Sequence, residues 1–489
     1  MTMRGPTKRS ALAALAVLCA LVAAGSLLVR WLGRGRGVPE HPNVVIVVMD
    51  TARRDRLSCY GYERDTSPRL RDLAKTSTVF DNAYSTTSWT CPAHASIFTG
   101  LYPISHGVTQ EHWKMSEKLV TLAEILSQNG YETAGIVENP VLSDRNGYDQ
   151  GFATYDMTWR IDRELAKRRS GQRPEPGSTA TNLFLSTVHR NDGRPFFIFV
   201  NLISPHSPYD SSGRFMEEFV TERDISLVEN MWREHYLGRR ALTGAELRHL
   251  GELYDAELLY TDSLVGAMVD GLKESGRWDN TLFVVTSDHG ENLGDHGHVD
   301  HVFSLHESLI RVPLIIHDPA RFAGGAVDRR PVQLTDLFPT VLEAAGASVE
   351  AFPNQGLSLL TVEIPPDRPI FTEYEWPTQV LSCFDEADRE DPALAPFKRA
   401  LRSIIVGGTK LIWASAGPPE VYDLSADPTE LANAWESRKD TEAVRALEAG
   451  LAGAVTRLGA DHRVRPEDVS TDSVDEATRE ALRSLGYLR

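Results

Sequence analysis

The side chains best suited to chemistry in this 489-residue chain are Asp50, Thr90, His94, His206, Asp288, His289 and His301. Asp50 directly follows the apolar run Asn43-Val-Val-Ile-Val-Val-Met49. His206 lies in Ser204-Pro-His-Ser-Pro-Tyr, just beyond Phe196–Leu202, and Asp288-His289-Gly290 follows Thr281–Thr286. Taken singly, each has a plain structural explanation, since an Asp after a strand caps a helix and Asp-His-Gly makes a turn. Together they offer carboxylate oxygens and imidazole nitrogens, a hard-to-borderline set for a divalent cation. Thr90 opens the segment Thr-Cys-Pro-Ala-His94-Ala-Ser-Ile-Phe-Thr99, which reads as a short helix with Pro92 in its first turn. Free backbone N–H groups and the helix dipole make such a terminus an anion site. A Thr hydroxyl there, beside a dication, is a credible nucleophile; the competing reading is a simple helix cap. The run Asp295-His-Gly-His298-Val-Asp-His301 offers ligands for a second metal, or else a polar loop lining the site.

These residues need a scaffold that brings strand ends together. The β-branched run 43–49 reads as a strand buried on both faces. Thr133–Val137, Phe196–Leu202, Thr281–Thr286 and Val312–Ile316 read as further strands, the last with an edge position or an irregular start because of Pro313. Leu119, Leu122, Ala123 and Leu126 mark a helix closed by Gly130, and Tyr254–Glu274 reads as a long amphipathic helix. Strands alternating with helices imply an α/β fold with a mostly parallel, doubly wound sheet, whose chemistry gathers beyond the strands' carboxyl ends. From about residue 368 to 489 the pattern changes to short antiparallel strands around Gly407-Gly408, then charged helical sequence, an α+β subdomain.

Lys plus Arg number 51 and Asp plus Glu 68, for a net charge of −17, and hydrophobic residues make up 42%. That composition suits a large folded core and argues against unspecific nucleic-acid binding, which relies on basic side chains. Four cysteines are too few for a disulfide scaffold. Residues 1–10 are basic and residues 11–29 are uncharged and apolar, long enough for a membrane anchor or a signal peptide. Residues 30–40 form a Gly-rich linker. The catalytic body is thus expected outside the cytoplasm, membrane-anchored or exported.

Several of these pieces, in order, carry a resemblance. Pro42–Asp50 with Cys59-Tyr-Gly61, Thr90-Cys-Pro-Ala-His94 with Phe98-Thr-Gly-Leu-Tyr-Pro103, Ser204-Pro-His206, Thr286-Ser-Asp-His-Gly290 and Ile310-Arg-Val-Pro313 resemble the sulfatase family of the alkaline phosphatase superfamily, over about residues 41–346. The resemblance implies an alkaline-phosphatase-like fold, with Asp50, Asp288 and His289 holding a divalent cation (Ca, Mg, Mn or Zn) that the nucleophile also reaches. It implies that His206 contacts the anionic group or protonates the leaving oxygen, and it makes Arg53 a possible anion contact.

The departures are informative. Typical sulfatases oxidise a Cys within Cys-x-Pro-x-Arg to formylglycine; here Thr90 takes the Cys position and His94 the Arg position. Thr51 replaces the second Asp of the family's Asp-Asp pair, and His301 stands near the place of an expected Lys. The reading is a metal-dependent hydrolase that cleaves a sulfate or phosphate ester of a sugar, lipid or aryl alcohol through Thr90. An envelope phosphoryl or phosphoglycerol-type transferase is the alternative, and an inactive binding module a third.

Overall fold

The computed structural model describes residues 41–168, 177–209, 213–221, 231–360, 363–460 and 476–485. Residues 1–40, with the expected basic region, anchor or signal and linker, lie outside them. Among the described residues no helix is long and apolar enough to cross a membrane.

The central sheet has eight strands: β1 (Asn43–Met49), β2 (Thr78–Tyr84), β3 (Glu132–Val137), β4 (Thr154–Met157), β5 (Phe196–Leu202), β6 (Thr281–Thr286), β9 (Leu314–His317) and β10 (Ala326–Gln333). Between β6 and β9 a small hairpin pairs β7 (Asn292–Leu293) with β8 (Val299–Asp300). The order across the sheet is β10-β2-β9-β6-β1-β5-β3-β4. Every residue of β1, β5 and β6 is buried, as their unbroken apolar runs require. The ladder is parallel except at β9, which runs antiparallel to both β2 and β6. Of the two alternatives for Val312–Ile316, the irregular start holds, since the strand begins only at Leu314, and the edge position does not. Pro313 lies just outside the strand and needs no ladder donor; its carbonyl accepts from Thr286 Oγ1 at 2.7 Å.

Helices cover the sheet. The helix Leu122–Gln128 starts at a capping box in which Thr121 and Glu124 satisfy each other's backbone N–H groups. The long helix Gly244–Glu274 begins ten residues earlier than its apolar pattern suggests, at a second capping box between Thr243 and Glu246. A four-stranded antiparallel sheet, β11 (Ile370–Tyr374), β12 (Leu401–Val406), β13 (Thr409–Ala414) and β14 (Glu420–Asp423), follows. Its β12–β13 turn is Gly407-Gly408, both at positive φ (55° and 82°), which suits a two-residue hairpin. The helix Glu442–Ala460 packs on this sheet through Val444, Leu447 and Leu451. The sheet joins the catalytic body directly: Glu373 N–H donates to the Thr86 carbonyl, and Glu373 Oε1 accepts from Ile104 N–H at 2.7 Å.

Candidate metal centre and nucleophile

The end of β1 is built from a tight turn. Thr51 adopts φ 61°, a costly conformation for a β-branched residue. Its neighbours hold it there. Thr51 N–H donates to Asp288 Oδ1 (3.1 Å), Ala52 N–H to Ser287 Oγ (2.8 Å), and Tyr254 Oη–H to the Thr51 carbonyl (2.7 Å). Tyr254 comes from the long helix, and its hydroxyl also accepts from Arg53 N–H at 2.7 Å. The turn fixes Asp50 against the end of β6. There Gly290 is obligatory, because a Cβ would sit 1.9 Å from the Ser308 carbonyl oxygen.

One ligand atom each from Asp50, Asp288 and His289 lies within 4.8 Å of the others, and all three residues are fully buried. Asp50 Oδ2 accepts from Asn139 Nδ2 (2.9 Å) and Asn201 Nδ2 (3.1 Å), whereas Oδ1 has no partner. Asp288 Oδ1 accepts from Thr51 and His289 N–H, whereas Oδ2 has no hydrogen-bond partner. His289 Nδ1–H donates to the Gly290 carbonyl (3.0 Å), so the Nε2 lone pair is available to the site. Burial, then Asp288, pushes the Asp50 carboxyl up to about 7; burial also raises Asp288. Burial, then His301, drives His289 well below its ordinary value. These groups therefore shed charge when left to themselves, and a dication reverses that preference. Two bare carboxylate oxygens and an imidazole lone pair are a donor set that fits a divalent cation.

Thr90 is the first residue of the helix Thr90–Thr99, preceded by Trp89 at the cap, which makes no side-chain cap bond. Thr90 thus does not occupy the capping position itself. Its Oγ1 lies 3.2 Å from His289 Nε2. Cys91 points elsewhere: its thiol is buried, with the Val141 carbonyl 3.9 Å from Sγ, and burial raises its pKa. His94 is buried one turn on; its Nδ1–H donates to the Thr90 carbonyl (2.9 Å), and the ring edge is 3.6 Å from Asp288 Oδ2.

The rings of His206 and His301 are 5.0 Å apart, and that of His301 is 4.8 Å from His289. His206 Nδ1–H donates to the Ser207 carbonyl (2.6 Å), and burial, then His301, lowers its pKa to about 4. His301 Nδ1 is 2.8 Å from Asp300 Oδ1; burial opposes protonation, but Asp300 and Glu291 outweigh it and raise the imidazole. The sequence run 295–301 does not converge as one cluster. Asp295 pairs with Arg53, and His296 stacks on His306 at 3.6 Å, leaving Asp300 and His301 facing Glu291. Arg53 is not a surface residue: it is buried, 2.8 Å from Asp55 and 2.5 Å from Asp295.

Sequence reading missed Asn139, Asn201 and Glu291, while Asp300 stood within the run 295–301 read as second-metal ligands or a polar loop. Asn201 had a signal, since it is the one amide in the apolar strand Phe-Phe-Ile-Phe-Val-Asn-Leu. Such a residue inside a doubly covered strand needs a partner.

Comparisons with known proteins agree with this architecture. The family model described as Sulfatase matches residues 42–347. The chain is 25% identical to the multifunctional alkaline phosphatase superfamily protein PehA of Trinickia caryophylli, over 80% of this chain and 90% of that protein. It is 25% identical to an arylsulfatase of Clostridium perfringens, over 82% and 92%. The structure of a phosphonate monoester hydrolase of Agrobacterium radiobacter superposes with TM-score 0.66 at 21% identity, covering 86% of this chain and 96% of that one.

Proposed function

We propose, from the premise that this chain belongs to the sulfatase family of ester hydrolases, that it uses Thr90 as nucleophile and a divalent cation held by Asp50, Asp288 and His289, and that it prefers phosphorus to sulfur esters. The observation that carries the reading is the position of Thr90 Oγ1, 3.2 Å from His289 Nε2 at a helix N-terminus, with Cys91 turned into the core.

A bound cation would lower the pKa of a neighbouring hydroxyl and neutralise the ester's anionic oxygens. The protein's own groups do the rest. His94 fixes the first turn through the Thr90 carbonyl, so Oγ1 is held in one place. Thr90 Oγ, its proton given up to water, forms a bond to phosphorus as the bond from phosphorus to the in-line ester oxygen breaks. The first-turn N–H groups and the helix dipole stabilise the equatorial oxygens. His206 is neutral while the pocket is empty, because burial disfavours its charge. An anionic ester beside it restores the imidazolium, which donates Nε2–H to the leaving oxygen. His301 keeps Nδ1 toward Asp300 and has Nε2–H left for a substrate oxygen. Water then releases the Thr90 ester. A Thr ester on phosphorus is open to such attack, whereas sulfate monoesters profit from the hemiacetal collapse that only formylglycine provides.

The test compares Thr90→Ala and Cys91→Ala on an aryl sulfate, an aryl phosphate and a bis-aryl phosphodiester. Thr90→Ala is expected to lose roughly 10⁴-fold in turnover, and Cys91→Ala to stay near the parent, with phosphorus esters fastest. The opposite ranking, or a peptide mass showing an aldehyde at Cys91, would sink the assignment.

The proposal extends to location: residues 11–29 tether or export the catalytic body. Deleting residues 1–37 should release an enzyme of unchanged turnover. Extraction of the full chain from membranes by high salt alone would contradict insertion, because salt screens charge but not hydrocarbon burial.

A further inference from the structure

The β7–β8 hairpin carries a second set of donors. Glu291 stands just before β7, Asp300 ends β8, and His301 follows; the register Asn292↔Asp300 sets the two ends of the hairpin side by side. One ligand atom each from Glu291, Asp300 and His301 lies within 4.8 Å of the others. His301 Nδ1 is 2.8 Å from Asp300 Oδ1 and 3.7 Å from Glu291 Oε2. Glu291 is 1% exposed, yet neither of its carboxylate oxygens has a hydrogen-bond partner among the described residues, and neither does His301 Nε2. A bare, buried carboxylate is costly and calls for a partner. Arg53 does not supply it: its guanidinium donates to the Glu291 backbone carbonyl (2.9 Å), and its charge is engaged by Asp55 and Asp295.

Charge balance separates two ways of filling this gap. Two carboxylates and an imidazolium leave one negative charge buried. Two carboxylates, a neutral imidazole and a dication leave none. We propose that Glu291, Asp300 and His301 bind a second divalent cation, distinct from the one assigned to Asp50, Asp288 and His289. Two carboxylates with one imidazole suit Zn²⁺ or Mn²⁺. The Asp300 side chain keeps 21% of its surface exposed and gives the ion an entry side. His301 joins the two sets, since its ring lies 4.8 Å from that of His289. With the cation on Nδ1, the imidazole proton is confined to Nε2. The second ion thereby fixes His301 as a hydrogen-bond donor in the pocket that also holds His206.

The test is metal stoichiometry. Full-length protein in detergent is stripped with a chelator and dialysed against Zn²⁺ or Mn²⁺, and bound metal is counted by elemental mass spectrometry. Two equivalents per chain are expected for the parent and one each for Glu291→Gln and Asp288→Ala. A parent that binds one equivalent, lost in Asp288→Ala and kept in Glu291→Gln, overturns the second site while leaving the first intact. Two equivalents in Glu291→Gln overturn it as well. Crystals of the parent protein soaked in Mn²⁺ remove any dependence on how the variants fold. An anomalous peak at coordinating distance from Glu291 and His301 supports the proposal, and its absence refutes it.

Discussion

Two parts of this molecule bury charge, and they treat it differently. In the antiparallel sheet, Lys410 is fully buried, with its Nζ 3.1 Å from Glu307 and 2.7 Å from Glu430. Glu430 Oε2 in turn accepts from Glu307 N–H at 2.6 Å. At the end of the central sheet, Asp50 and Asp288 are equally buried, yet each keeps one oxygen without a hydrogen-bond partner. The first arrangement is closed by ion pairs within the chain, with Arg311 also 3.9 Å from Glu307, and joins the small sheet to the short helix Glu307–Ile310 that precedes β9. The second is left open at the atoms a ligand would use. Buried charge is therefore a guide to function here only where the chain declines to neutralise it.

That contrast can be broken at either end. The largest effect is expected from Asp288→Ala. Activity should vanish and one metal equivalent with it, and the metal-free variant should melt a few degrees lower than the parent, because alanine leaves the Thr51 and His289 N–H groups without the Asp288 Oδ1 acceptor. Full metal occupancy in the variant would remove Asp288 from the ligand set. The complementary change is Lys410→Met, which strands Glu307 and Glu430. It should cost about 3–5 kcal/mol in denaturant unfolding and leave turnover of the folded enzyme intact. Unchanged stability would mean that the ionic cluster is not closed as described. The smallest effect is one of pH. Burial and Asp288 raise the metal-free Asp50 carboxyl to about 7, so below that value a cation must displace a proton. Metal affinity should rise about tenfold per pH unit up to roughly 7 and level off above it. Calorimetric titration from pH 5.5 to 8.5 checks this, and a flat profile would remove Asp50 from the ligand set.

Much of this was legible in the sequence. The strands β5 and β6 match their apolar runs residue for residue, and Asp50, Asp288 and His289 stand where such runs end. Three strands of the central sheet went unread, for a common physical reason. The strands β4 (Thr-Tyr-Asp-Met) and β10 (Ala-Val-Asp-Arg-Arg-Pro-Val-Gln) lie at the sheet's two edges, where half-exposed positions dilute the apolar signal. The strand β2 carries Asp81 and Asn82, both partly exposed, beside one of those edges. Pro313 marked the irregular start correctly but not an edge, since a strand can begin one residue after a proline and still be central. In the candidate site, residues tied to strand ends were readable, whereas Glu291 acquires meaning only once a hairpin sets it beside Asp300.

The reversed direction of β9 has a consequence for how this fold can change. A parallel neighbour of β6 would have to begin at the opposite end of the sheet, and its connection would spend most of its length on a crossover helix. Because β9 is antiparallel, the chain from Ser287 to Pro313 starts and finishes at the same end. That length carries Asp288, His289 and His301 to the candidate site, and none of it is committed to crossing the sheet. Insertions and deletions at the tip around Gly294–Gly297 can therefore reshape what the pocket admits while every strand keeps its register. Diversification of substrate range, in nature or in a selection experiment, has an inexpensive place to happen.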